Sequence, residues 1–121
     1  MNNSFAIRVA AVFGFLAVAL GAFGAHGLKS VLLQNATTDV WNKAVLYHSI
    51  HAVMMFVLAT RRPVQSMAWL CFFIGVLIFS GSLYLLAATN LKWLGAITPL
   101  GGAAFLLGWF WLAFNPQVGD R

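Results

Sequence analysis

The stretch FAIRVAAVFGFLAVALGAFGA, residues 5–25, decides the fold. Arg8 is its only charge, and no uncharged polar side chain interrupts it. A bilayer core about 30 Å thick takes ~20 apolar residues per spanning helix, so a run of this length predicts a transmembrane helix. It also exceeds the ~7–15 apolar residues of a signal-peptide core, so it is expected to stay in the chain as a span.

Outward from this stretch, similar runs occur at residues 40–60, 67–89 and 93–114. Arg61-Arg62-Pro63 ends the second. Two cations suit the negative end of a helix dipole, and proline cannot continue the hydrogen-bond ladder. Asn90-Leu91-Lys92 is a tight connection, and Asn115-Pro116 stops the fourth run before a short polar tail. Residues 28–43 are the longest loop. Leu28, Val31 and Leu32 share one helical face there and predict a short helix lying in the membrane interface. Thr38 or Asp39 is expected to cap the helix that follows, and Pro99 to bend the fourth span. The expected fold class is all-α: an integral membrane four-helix bundle with short loops, forming one transmembrane domain over residues 1–121.

Composition excludes the other classes. Of 121 residues, 62% are hydrophobic and 7% charged. Soluble domains carry roughly a quarter charged residues, and disordered chains need few apolar ones. The net charge of +5 comes from scattered basic residues. It is read as a topology signal and an attraction to anionic lipid, with no nucleic-acid partner. Arg8, Arg61, Arg62 and Arg121 fall on the side of the termini, against Lys29, Lys43 and Lys92 on the other. This bias predicts cytoplasmic termini. Trp41, Trp69, Trp93, Trp109 and Trp111 lie near span ends, where indoles anchor at headgroups. Cys71, the single cysteine, is expected to be a packed or lipid-facing thiol, with palmitoylation as the alternative.

Helices in lipid associate through close van der Waals contact. Ala10, Gly14, Ala17, Gly21 and Ala25 make a strip of small residues along the first helix, and Gly24 adjoins it. Gly95, Gly101, Gly102 and Gly108 give similar freedom in the fourth. These faces would serve contacts within one bundle, between protomers, or with another membrane protein. Polar side chains inside spans are the candidate site, because each costs free energy in hydrocarbon. His26, Tyr47, His48, His51, Ser80, Ser82, Tyr84 and Thr98 are expected in the half of the bundle away from the termini, as one polar cluster or shallow cavity above an apolar plug. Its sharpest chemical use is a metal held by His48 and His51 at i, i+3 with His26 as a third ligand. The plainer use is interhelical hydrogen bonding, and this is preferred because no carboxylate or thiol completes a strong site. No cofactor is implied. Catalytic residues are not expected either: no acidic residue lies inside a span, and Ser80 and Ser82 lack a His–carboxylate pairing.

The blocks GAFGAHGL (21–28), YHSIHA (47–52), FSGSLY (79–84) and WLGAITPLGG (93–102), with Gly108-Trp109, resemble a small membrane-protein family. It is known as domain of unknown function 423, the YgdD/YwdK-like proteins of bacteria, related to the transmembrane protein 256 family of animals. The resemblance implies a four-span protein of the bacterial cytoplasmic (inner) membrane, and it implies no reaction. His26 and His51 fall on histidines of the family pattern. Glutamine is common in the family at the position of His48, which fits hydrogen bonding better than metal ligation. The function expected is a non-enzymatic structural or membrane-supporting bundle. The alternative is a binding or transport component that holds a small molecule, lipid or metal in the polar cluster.

Overall fold

The computed structural model describes residues 1–116. The tail 117–121, with Asp120 and with Arg121 of the charge count, lies outside the described residues. Helices follow one another as α1 (Asn3–Ala25), α2 (Lys29–Asn35), α3 (Thr38–Ala59), α4 (Ser66–Gly75), a π turn (Val76–Ser80), α5 (Gly81–Thr89), a 3₁₀ turn (Lys92–Ala96) and α6 (Thr98–Phe114). There is no strand among the described residues. α4, the π turn and α5 run on as one column, residues 66–89.

Helix ends are stitched together by side chains that reach carbonyls left over at another helix's terminus. The last four carbonyls of a helix have no partner inside it. Asn3 Nδ2 donates to Ala59 O at 2.7 Å and Arg61 O at 2.8 Å, tying the start of α1 to the end of α3. Gln65 Nε2 donates to Asn115 O at 3.0 Å, which joins the start of α4 to the end of α6. At the opposite end Thr37 Oγ1 donates to Ala87 O at 2.7 Å and Asn35 Nδ2 to the same oxygen at 3.1 Å, closing α5. These pairings fix an up-down-up-down order.

α3 and the column 66–89 are the middle of the bundle. α1 packs on α3, and α6 packs on α4 and the π turn. Met55, Leu58, Ala59, Trp69 and Phe72 are buried together toward the end that carries the N-terminus. A smaller cluster of Leu32, Trp41 and Ala87 closes the other end.

By length and composition three columns are long and apolar enough to cross a membrane: Asn3–Ala25, Ser66–Thr89 and Lys92–Phe114. α3 is 22 residues long but carries Asn42, Lys43, Tyr47, His48, Ser49 and His51, which lower its apolarity. Pro99 does not bend a continuous helix. It stands in the first turn of α6, where the amide it lacks would have no helical acceptor anyway, and the chain before it is 3₁₀. The third column is interrupted by the π turn. Neither Thr38 nor Asp39 caps α3. Thr37 is the cap residue and makes no side-chain cap bond, because its hydroxyl is committed to Ala87 O. The short helix between the first and second columns does form, as α2. Trp41 and Trp69 are buried rather than placed at headgroups, whereas Trp93, Trp109 and Trp111 are exposed.

The small-residue strip of α1 is rotated from the one expected. Its buried members are Ala6, Ala10, Ala17 and Gly24, while Ala25 is exposed. Positions 10, 17 and 24 recur every seven residues, the repeat by which two packed helices keep a common seam. A Cβ on Gly24 would enter the indole of Trp41. On Gly101 it would strike the backbone of Phe79, and on Gly108 the ring of Phe72. Gly21 is tight against Val45 Cγ1 at 3.3 Å. Gly95 and Gly102 have only ordinary contacts, at 3.5 Å and 3.8 Å. A Cβ on Gly14 would meet nothing within 4 Å, so Gly14 closes no helix contact. Gly75 was not singled out from the sequence, yet its missing side chain admits the Phe105 ring.

Candidate functional site

α3 supplies the centre of the site. His48 lies ten residues after Thr38 and eleven before Ala59, so it sits at mid-helix, ~15 Å from either end at 1.5 Å per residue. The polar groups therefore begin at the middle of the bundle and extend toward the α2 end. They do not form one cluster. They divide into separate hydrogen-bonded sets, because α3 turns His48 and His51 toward different neighbours.

His51 faces α6. Its Nδ1 lies 2.7 Å from Tyr47 O, and Trp109 Nε1 donates to its Nε2 at 3.0 Å. A carbonyl only accepts and an indole N–H only donates. The proton must therefore sit on Nδ1, while the Nε2 lone pair is occupied. Both nitrogens are used, and the ring is a neutral Nδ1–H tautomer. Phe105 stacks on it, with centroids 3.6 Å apart and planes 10° from parallel, and the Phe72 ring meets its edge at 5.1 Å. A ring held this way has no lone pair to offer a metal and no vacancy for a second proton.

His48 faces α1 and α5. Its Nδ1 is 2.9 Å from the Tyr84 hydroxyl. Its Nε2 is buried with no hydrogen-bond partner. The Phe13 backbone faces the ring from α1, and the Phe13 ring stands edge-on at 6.0 Å. Tyr84 in turn packs against Trp41, with centroids 4.7 Å apart. A groove of about 140 Å³ opens beside His48 and Tyr84.

The serines reach neighbouring helices. Ser80 Oγ donates to Ala44 O on α3 at 2.8 Å and is fully buried. Ser82 Oγ donates to Phe79 O at 3.0 Å and pairs with Thr98 Oγ1 at 2.6 Å, linking α5 to α6. The π turn lies where the column approaches Gly101 most closely. Wider turns of this kind shift the following residues round the helix, which accords with Ser80 pointing at α3 and Ser82 at α6. Tyr47 is exposed and stacks on Phe79 and Phe105. Cys71 is half-buried beside Gly108.

His26 is exposed at the end of α1, apart from the buried mid-helix histidines. The set His26, His48 and His51 is therefore not brought together, and it is corrected as a ligand set. Among the described residues no three His, Cys, Asp or Glu side chains are placed to hold a metal. Sequence reading missed Trp109 and Phe105 as partners of His51. Their spacing of four on α6, which puts both on one face, was the signal available.

Long apolar helices around buried, internally bonded polar groups define an all-helical membrane bundle. The chain belongs to the family described as Protein of unknown function (DUF423), whose model matches residues 20–102. It is 44% identical over 110 residues to the UPF0382 membrane protein YwdK of Bacillus subtilis, covering 85% of this chain and 88% of that one. It is 41% identical to the UPF0382 membrane protein SSP2132 of Staphylococcus saprophyticus, covering 90% and 93%. It is 39% identical to the UPF0382 inner membrane protein YgdD of Escherichia coli, covering 90% and 86%. No solved structure matches the chain.

Proposed function

We propose that the chain is a four-span, non-enzymatic protein of the bacterial cytoplasmic membrane, with both termini cytoplasmic, that supports the membrane or a membrane complex as a structural bundle. The observation that carries this reading is His51, a buried imidazole of α3 with both nitrogens committed to Tyr47 and Trp109. It acts as a latch between α3 and α6. α3 would be the fourth span: it is as long as the other columns, and its two histidines turn inward to partners. Arg8, Arg61 and Arg62 sit at the end that holds the N-terminus, which favours that end inside. Lipid would cover the exposed apolar faces of α1 and α6.

The test is the melting temperature of His51→Ala in detergent. A clear fall is expected, because the substitution removes a stacked ring and strands the Trp109 N–H. An unchanged melting temperature together with loss of the cellular phenotype of the wild type would overturn the structural reading.

A further inference from the structure

The end of the bundle that carries the N-terminus holds charge of one sign. Arg8, Arg61 and Arg62 stand toward it. Asp39, the one acid among the described residues, lies in the first turn of α3, ~30 Å from the other end of that helix at 1.5 Å per residue. An arginine side chain stays charged and carries five N–H donors and no acceptor. Arg61 uses its backbone N–H on Leu58 O and its carbonyl on Asn3. Among the described residues its guanidinium has no hydrogen-bond or ion-pair partner.

A groove of about 200 Å³ opens beside this guanidinium, between the ends of α3 and α6. Arg61 and Gln65 stand at its outer end, and Met54 and Val57 of α3 with Leu112 of α6 form its deeper walls. Met54 is five residues inside Ala59, the last residue of α3, and so ~8 Å below the helix end. Gln65 donates one amide hydrogen to Asn115 O, which leaves its carboxamide a second N–H. One turn beyond Met54 and Leu112 the seam between the same two helices is shut, where Trp109 donates to His51. Val57 is exposed, so the groove is open along the side that faces the surroundings of the bundle.

Cation above and apolar walls below is the order of a phospholipid. The membrane-spanning reading of α3 proposed above, on which this step rests, puts Arg61 two residues past the helix, at the level of the headgroups. A free phosphate would gain nothing from Met54, Val57 and Leu112. A zwitterionic headgroup would bring its ammonium group toward three cations and no acid among the described residues of that end. An anionic headgroup brings the complementary charge alone, and a guanidinium fork can hold two phosphate oxygens at once.

We propose that the groove between the ends of α3 and α6 seats one anionic phospholipid, its phosphate on Arg61 and an acyl chain over Val57 and Leu112. A seated lipid differs from the general attraction of a basic surface for anionic membranes, because it depends on one arginine and on the shape beneath it.

The test is native mass spectrometry of the full chain in detergent at about 0.15 M salt, where exposed charges far apart are screened. Phosphatidylglycerol and phosphatidylcholine with the same acyl chains are titrated in competition. One phosphatidylglycerol per chain should be retained in preference to phosphatidylcholine. Arg61→Gln should weaken its binding by about tenfold or more, the worth of a charge-assisted hydrogen bond. Arg62→Gln removes the same charge one residue away without lining the groove, and should leave binding within about twofold. Both arginines are exposed, so neither substitution disturbs the core. Val57→Trp keeps every charge but fills the groove, and should lose the lipid as Arg61→Gln does. Glycerol 3-phosphate, the headgroup phosphate without chains, should not displace the lipid. Equal retention of the two phospholipids, equal losses from Arg61→Gln and Arg62→Gln, or full retention by Val57→Trp would overturn the proposal. So would displacement by glycerol 3-phosphate, which would make the site one for a soluble phosphate. The melting temperature of His51→Ala does not depend on a lipid at Arg61, so the lipid site and the structural reading fail separately.

Discussion

His48 and His51 leave the same helix three residues apart, each 4% exposed, and meet opposite circumstances. On the α6 side every polar atom of His51 is bonded and its ring is sandwiched among Phe72, Phe105 and Trp109. On the α1 side His48 has one bond, an edge-on phenylalanine and a groove. The glycines mark where the helices close and where they do not. Gly24 on α1, like Gly75, Gly101 and Gly108, admits a group from the facing helix, whereas Gly14 and Gly81 face open space. The same residue type thus closes the helix contacts at some levels and leaves room at others. Lipid supplies no hydrophobic drive between helices, so contact quality decides which interface is rigid. His51 lies where the packing is shut, and His48 lies beside the groove between α1 and the third column.

The contrast breaks most readily at Gly101. Gly101→Ala would push a methyl group into the Phe79 backbone, which cannot swing aside as a side chain would. A cost of ~1–3 kcal/mol or more is expected, seen as loss of the monodisperse peak in size-exclusion chromatography and a lower melting temperature. Trp109→Phe comes next. It leaves the His51 Nε2 lone pair buried without a donor, and thermal melts should report ~1–3 kcal/mol of destabilisation. Tyr84→Phe on the slack side should cost less, about 1 kcal/mol, because His48 can adopt either tautomer beside a groove. The smallest effect should have the opposite sign. Gly14→Ala and Gly81→Ala meet no neighbour and restrain the unfolded chain, so each should raise stability by about 0.5–1 kcal/mol. A destabilisation at Gly14 equal to that at Gly101 would erase the distinction between the two sides.

Much of this was legible in the sequence and some was not, for physical reasons. Runs of apolar residues announce helices in lipid because the backbone must bond internally there, and α1, the column 66–89 and α2 follow from that rule. α3 was legible from the run 40–60 and from its flanks, although Tyr47, His48 and His51 lower its apolarity. The polar residues were visible as a group, but their grouping into pairs was not. Which way His48 and His51 turn depends on how α3 crosses α1 and α6, and spacing of three on one helix leaves both directions open. His26 shows the limit plainly: its depth at the end of the first run suggested a shared layer, yet the end of α1 leaves it exposed. The caps from Asn35 and Thr37 to Ala87 join residues about fifty apart, and no local pattern encodes them. The π turn has no signature in the run VLIFS.

The difference between the two sides of α3 reduces to where two protons sit. Imidazole ¹⁵N spectra of the histidine-labelled protein in nanodiscs read this directly, with His48→Gln and Trp109→Phe assigning the signals. Opposite tautomers are expected in one molecule: His51 with its proton on Nδ1 and a bare Nε2 that accepts from Trp109, and His48 with its proton on Nε2. A proton on Nε2 of His51, or the same tautomer at both positions, would contradict it.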